Sequence, residues 1–237
     1  MTKSQPATRP GAAISAATTA FAFVLIAALP PFARAQGNDI FARRDEWQRT
    51  SDMIKSLGEV RGRRLADIAA GTGYLTKALS KAVGANGRVY AVEIGEKELA
   101  ALRAIAARDS FTNVAVVAGG ETDLRLTDPV DGAVILNSYH EIAQIQSILA
   151  SAFRAISPGG TLVLVDNAPF DAWKSESREF QTSHHAIDPA IVEREVRAAG
   201  FEIVRRDDAF ITTPVAQWLV VARRPSIRGP STRGSTF

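Results

Sequence analysis

One junction constrains the fold of this 237-residue chain more than any other stretch. Arg64-Leu65-Ala66-Asp67-Ile68-Ala69 is an apolar, extended-type run broken by a single acid, and residues 74–83 carry helical periodicity. Between them stands Ala70-Gly71-Thr72-Gly73. Glycines two apart at a strand-to-helix turn let backbone approach a ligand where a Cβ would clash. A strand, a glycine turn and a helix in that order commit the chain to a crossover connection, and so to parallel strands. Asp67 closes an otherwise apolar strand beside that turn. It is expected either to face a ligand or to steady the turn itself.

The rest of the chain repeats the alternation. A leading helix is expected over residues 46–57, then helices over 74–83, 96–108, 142–156 and 189–199. Strands are expected over 64–69, 88–93, 114–118, 132–136, 161–166, 201–206 and 218–222. Ser157-Pro158-Gly159-Gly160 reads as a tight turn, and Gly200 as the cap that closes the penultimate-strand helix. Strands that alternate with helices predict an α/β domain with a mostly parallel sheet covered on both faces.

Residues 1–35 read as an address rather than part of that domain. Lys3 and Arg9 precede an uncharged stretch over 12–29, Pro30-Pro31 breaks it, and Ala33-Arg34-Ala35 offers a small-x-small cleavage pattern. The expectation is a signal peptide over 1–35, a folded domain over 36–223 and a disordered tail over 224–237. The mature chain is then periplasmic or secreted. Membrane contact arises only if the segment stays as an anchor, a role that Ser15, Thr18 and Thr19 weaken by diluting the apolar run. Net charge is +3, and the arginine runs lack interleaved aromatics, so a nucleic-acid groove is not expected. The absence of cysteine excludes disulfides, thiolate catalysis and cysteine-ligated zinc.

Leu65 to Gly73, the strand Gly87-Arg88-Val89-Tyr90-Ala91-Val92-Glu93, and Ser157-Pro158-Gly159-Gly160-Thr161-Leu162-Val163-Leu164-Val165 together resemble successive motifs of class I S-adenosylmethionine-dependent methyltransferases. Tyr139-His140-Glu141, His184-His185-Ala186-Ile187-Asp188-Pro189 and Ala198-Ala199-Gly200-Phe201 are further similar to a bacterial group of exported methyltransferases. The resemblance implies a doubly wound, Rossmann-like sheet of seven strands with the last antiparallel. It implies S-adenosylmethionine as cofactor and a small-molecule acceptor. Asp67, Gly71 and Gly73 would hold the methionine end, Glu93 the ribose, and Glu121 or Asp123 would lie near the adenine. Ala69 stands where the family's first glycine is usual. Gly120 stands where an acid often follows the third-strand glycine.

On the acceptor side, His140 just past the fourth strand is expected as the catalytic base. Tyr139 is expected as a catalytic residue beside it, placed with Asn137 to orient an acceptor; Asn137 is also expected at the cofactor, and His184 and His185 at the substrate. Asn137 with Asp166-Asn167 is similar to the metal triad of catechol-type O-methyltransferases. Those enzymes carry an acid at the position of Asn137, and Asp-Asn at a strand end is a common turn feature, so no metal is expected. Two other functions fit the same fold. A nicotinamide-dependent oxidoreductase is disfavoured, because position 76 is Thr rather than the third glycine of a dinucleotide turn. A non-catalytic exported binding protein draws support from the export signal, since S-adenosylmethionine is made in the cytoplasm.

Overall fold

The computed structural model describes residues 43–108 and 111–226. The expected signal over 1–35 and the tail beyond 226 lie outside the described residues. Among those described, no helix is long and apolar enough to cross a membrane.

The elements are, in chain order, α1 (Arg44–Trp47), α2 (Thr50–Ser56), β1 (Arg64–Ile68), α3 (Tyr74–Val83), β2 (Arg88–Glu93), α4 (Glu96–Arg108) and β3 (Val114–Ala118). Then come β4 (Val130–Leu136), a 3-10 turn (Tyr139–Glu141), α5 (Ile145–Ala155), β5 (Ile156–Asn167) and a second 3-10 turn (Asp171–Trp173). Helices α6 (Arg178–Ser183) and α7 (Pro189–Ala198) and strands β6 (Glu202–Ile211) and β7 (Gln217–Arg223) complete the domain. The seven strands form one sheet in the order β3-β2-β1-β4-β5-β7-β6. The first five are parallel, and β7 runs antiparallel to both β5 and β6. This is the expected fold.

Period-two alternation sends side chains to two cores. Leu162 and Leu164 of β5, with Trp218 and Val220 of β7, pack under α5 and α7. Val163 and Val165, with Leu219 and Val221, join α2 and α3 on the opposite face. Alternate apolar residues on both faces are what a sheet covered twice requires. Because β1 sits between β2 and β4, the crossovers leave it in opposite directions. A crevice therefore opens beyond the carboxyl ends of β1, β2 and β4, where open α/β sheets bind ligands.

Several elements differ from expectation: β6 runs on to Ile211, and α6 and the second 3-10 turn fall where none was expected. The leading helix is two pieces, because Arg49 takes a left-handed φ of 53° between them. Its guanidinium donates to the Phe210 carbonyl at 2.5 Å and lies over the Phe210 ring, so tertiary contact fixes the break. The expected turn at 157–160 is absorbed into β5: Gly159 N donates to Arg224 O, and Arg224 N to Gly160 O. Arg224, read as tail, thereby extends the paired region, and its side chain reaches the Arg154 and Ile156 carbonyls. The helix expected over 142–156 starts only at Ile145, with the 3-10 turn placed before it.

Candidate functional site

The turn after β1 is built from three left-handed residues, Ala69 (φ 55°), Gly71 (φ 55°) and Gly73 (φ 87°). Gly73 could not be replaced cheaply, since a Cβ there would press to 3.0 Å of Leu102 Cδ2 on α4. The exposed edge of the loop is held by Glu93 at the end of β2. Gly71 N donates to Glu93 Oε2 at 2.8 Å, and Ile94 N donates to Oε1 at 2.7 Å. A carboxylate offers about four acceptor positions, and since Gly95 N also reaches Oε1, at 3.4 Å, the spare capacity is on Oε2. Glu93 lines a cleft of about 560 Å³ together with Ala69, Gly71, Ile94, Gly120 and Glu121. Ile94 is 56% exposed within it, an apolar surface beside a carboxylate. A flat ring attached to a diol fits that pairing.

Asp67 lies beneath this loop rather than on the cleft wall. It is 2% exposed and accepts from Thr76 Oγ1 at 2.6 Å. Burial lifts its carboxyl from 3.8 to about 7; the Thr76 hydrogen bond opposes the lift and the Glu93 charge adds to it. The Arg44 guanidinium offers a weaker compensating charge. That guanidinium stacks over the Tyr74 ring at 4.2 Å, and Tyr74 Oη meets Thr50 Oγ1 at 3.0 Å. Helices α1 and α2 thus close over the start of α3. Arg44 and Thr50 were not singled out from sequence, because nothing local marks a leading helix as a cover for a turn thirty residues away.

The acceptor side is organised by a buried carboxylate. Asp166 at the end of β5 is fully buried. Its Oδ2 accepts from His140 N at 3.0 Å, and its Oδ1 accepts from Asn167 N at 2.7 Å and from His140 Nδ1 at 2.8 Å. With Nδ1–H committed to Asp166, the lone pair of the neutral ring is on Nε2. Burial works against protonation of His140, but the hydrogen bond and charge of Asp166, with Glu141, carry its pKa above the ordinary value. Nε2 lies 3.7 Å from Glu141 Oε1, and the His185 ring stands edge-on at 5.4 Å. Glu141 is itself part of the cleft wall.

Besides Asp67, four expected site residues are placed elsewhere. Tyr139 is fully buried and donates to Glu195 Oε2 on α7 at 2.6 Å; burial and that carboxylate push its pKa well up, so it is a core tie and not an acid or base. Asn137 does not line the cleft, and its Oδ1 accepts from Gln217 Nε2 at 2.7 Å. Asp123 points away and pairs with Arg154 at 2.8 Å, which leaves Glu121 as the acid facing the cleft. His184 turns from His140, donates Nδ1–H to Phe180 O at 2.8 Å and stacks on the Phe180 ring. Strand-end position cannot tell which way such side chains turn.

The oxygens of the triad Asn137, Asp166 and Asn167 do not converge on a cation. Gln217 Nε2 takes both asparagine carbonyls, and Asp166 is taken by His140. These contacts belong instead to a buried amide relay that sequence reasoning missed. Gln48 Nε2 donates to Gln217 Oε1, Gln217 donates to Asn137 and Asn167, and Asn167 Nδ2 donates to His185 O. Beyond it, Phe170, Trp173 and Phe180 form a chain of edge-to-face rings on the segment after β5.

A family model described as the ubiE/COQ5 methyltransferase family matches residues 36–189. A ubiquinone/menaquinone biosynthesis C-methyltransferase UbiE of Photorhabdus laumondii is 30% identical over 65% of this chain and 61% of its own length. A demethylmenaquinone methyltransferase of a Geobacillus strain is 24% identical over 54% of each chain. The match therefore spans only between about half and three fifths of these relatives. Among solved structures, a SAM dependent methyltransferase from Aquifex aeolicus superposes with a TM-score of 0.66 at 20% identity, covering 81% of this chain and 97% of that one.

Proposed function

The chain belongs to the ubiE/COQ5 methyltransferase family, and on that premise we propose that it moves a methyl group from S-adenosylmethionine to a small-molecule acceptor. The observation that carries the proposal is Glu93, whose carboxylate fixes the Gly71 N–H and still faces the cleft. Glu93 would accept the ribose hydroxyls, Ile94 would lie against the adenine with Glu121 beside it, and the Gly71–Gly73 backbone would hold the methionine end over Asp67. The cofactor supplies a methyl on a sulfonium, ready for direct displacement. The protein's part is to align the acceptor and to deal with its proton. His140, held by Asp166, presents Nε2 for that proton.

The acceptor proposed is a reduced quinone or a similar phenolic ring. The printed names of the relatives support it, and so does the ring cluster of Phe170, Trp173 and Phe180, with Phe170 70% exposed. We also propose that residues 1–35 direct export, a reading consistent with a family match that begins at residue 36. The test is transfer of radiolabelled methyl from S-adenosylmethionine to short-chain demethylated hydroquinones. Labelled product formed by the parent and reduced at least a hundredfold in His140→Ala supports the proposal. A parent that binds cofactor but labels none of a panel of phenols, amines and hydroquinones contradicts it.

A further inference from the structure

The geometry points to a binding site for a divalent transition-metal cation formed by His140, Glu141 and His185. Each offers one ligand atom, and the three atoms lie within 4.8 Å of one another. The separation expected for donors about 2.1 Å from one tetrahedral cation is roughly 3.4 Å, so a modest inward movement completes the set. The parts that must move are free to do so. Glu141 and His185 are exposed, whereas His140 is 7% exposed and fixed through both its backbone N–H and its Nδ1–H by the buried Asp166. A carboxylate behind a ligating imidazole is how proteins fix the tautomer and raise the ring's basicity toward a metal. On its Nε2 side the ring faces the His185 ring and the Glu141 carboxylate.

The donor set states which cation. Two imidazoles and one carboxylate suit Zn²⁺, Co²⁺ or Ni²⁺, and give Mg²⁺ no advantage, because it prefers oxygen ligands and retained water. Three protein ligands leave one position open on a four-coordinate cation, and Glu141 also belongs to the cleft wall. The chain holds no cysteine and only three histidines, so transition-metal affinity has few other places to arise. The third histidine, His184, lies outside the group, with its Nδ1–H donated to Phe180 O and its ring stacked on Phe180. Such a cation is not a cofactor of the transfer. It takes the lone pair assigned to the acceptor's proton, so Zn²⁺ is an inhibitor of methylation; that consequence rests on the proposed function, while the binding itself does not.

The test uses the full chain without a histidine tag. Co²⁺ is titrated while the visible ligand-field spectrum is recorded, Zn²⁺ is titrated by calorimetry, and S-adenosylhomocysteine is titrated into the same preparations. One equivalent of Co²⁺ with an intense tetrahedral-type spectrum is expected. His185→Ala should lose it, Glu141→Gln should weaken it about tenfold, and Asp166→Asn by about ten- to a hundredfold, while His184→Ala leaves it unchanged. Cooperative urea unfolding of the His185→Ala and Glu141→Gln variants with midpoints close to the parent's shows that they are folded. A parent that binds S-adenosylhomocysteine but neither cation overturns the site, as does cation binding indifferent to His185 and Glu141. Cation binding without any S-adenosylhomocysteine binding supports the site and counts against the transferase reading alone.

Discussion

Replacing Asp67 by Asn should make the protein more stable than the parent at neutral and alkaline pH, although it removes a carboxylate from directly beneath the cofactor loop. In the folded chain burial holds this carboxyl protonated up to about 7, against an ordinary value of 3.8. Below about pH 4 it is protonated in folded and unfolded chains alike and contributes no pH dependence. As pH rises toward 7 the unfolded chain sheds the proton while the folded chain keeps it. Stability then falls by up to about 1.4 kcal/mol per pH unit, and the loss levels off above the folded value. Across the interval the loss approaches about 4 kcal/mol, an upper figure because water and the Arg44 charge can relax toward the carboxylate. The Asn amide keeps an oxygen for Thr76 Oγ1 and does not ionise. Urea unfolding of parent and variant between about pH 4 and pH 8 isolates Asp67 and its coupling to Glu93, since titrating groups that do not interact with Asp67 cancel in the difference. The stability of Asp67→Asn relative to the parent should climb by about 2 to 4 kcal/mol over that range. A difference that stays flat across it would refute the reasoning.

Ala69 is a non-glycine residue in the left-handed region, so Ala69→Gly should raise stability by about 0.5–1 kcal/mol, measured by denaturant midpoint, as relief of strain exceeds the added chain entropy. Gln217→Leu leaves Gln48, Asn137 and Asn167 without their shared partner and should cost about 2–4 kcal/mol in the same assay. Ile94→Lys places a solvated charge where the adenine should lie and should weaken S-adenosylhomocysteine binding about tenfold or more with little change in stability. Tyr139→Phe should cost about 1.5–3 kcal/mol by removing the hydrogen bond to Glu195, yet leave cofactor affinity as it was.

The sheet was legible because its signals are local. Strands β2 and β3 and helices α3 and α4 start and stop where the apolar periodicity does, and the Gly71–Gly73 turn and Glu93 fall where the crossover must bring them. Ala69 shows how far such reading goes. Its place as a substitute for glycine was visible in sequence, but only its φ of 55° shows what the substitution strains. Direction of side chains was the part that could not be read. Asn137, Tyr139 and His140 follow the end of β4 and His184 closes α6, yet of these only His140 meets another histidine, His185. For the first three the cause is long-range: the carboxylate of Asp166 captures His140, that of Glu195 captures Tyr139, and the amide of Gln217 captures Asn137 together with Asn167. Sequence pattern carries no signal for such pairings. The break at Arg49 has the same origin in the Phe210 carbonyl and ring.

The central claim is that the cleft at the ends of β1 and β2 holds S-adenosylmethionine through Glu93 and the glycine turn. Calorimetric titration of S-adenosylhomocysteine into the parent, Glu93→Ala and Gly71→Val tests it most directly. The account predicts one site with a Kd on the order of micromolar, about −8 kcal/mol, weakened at least tenfold in both variants. No heat of binding in a folded parent, or equal affinity in parent and variants, would contradict it.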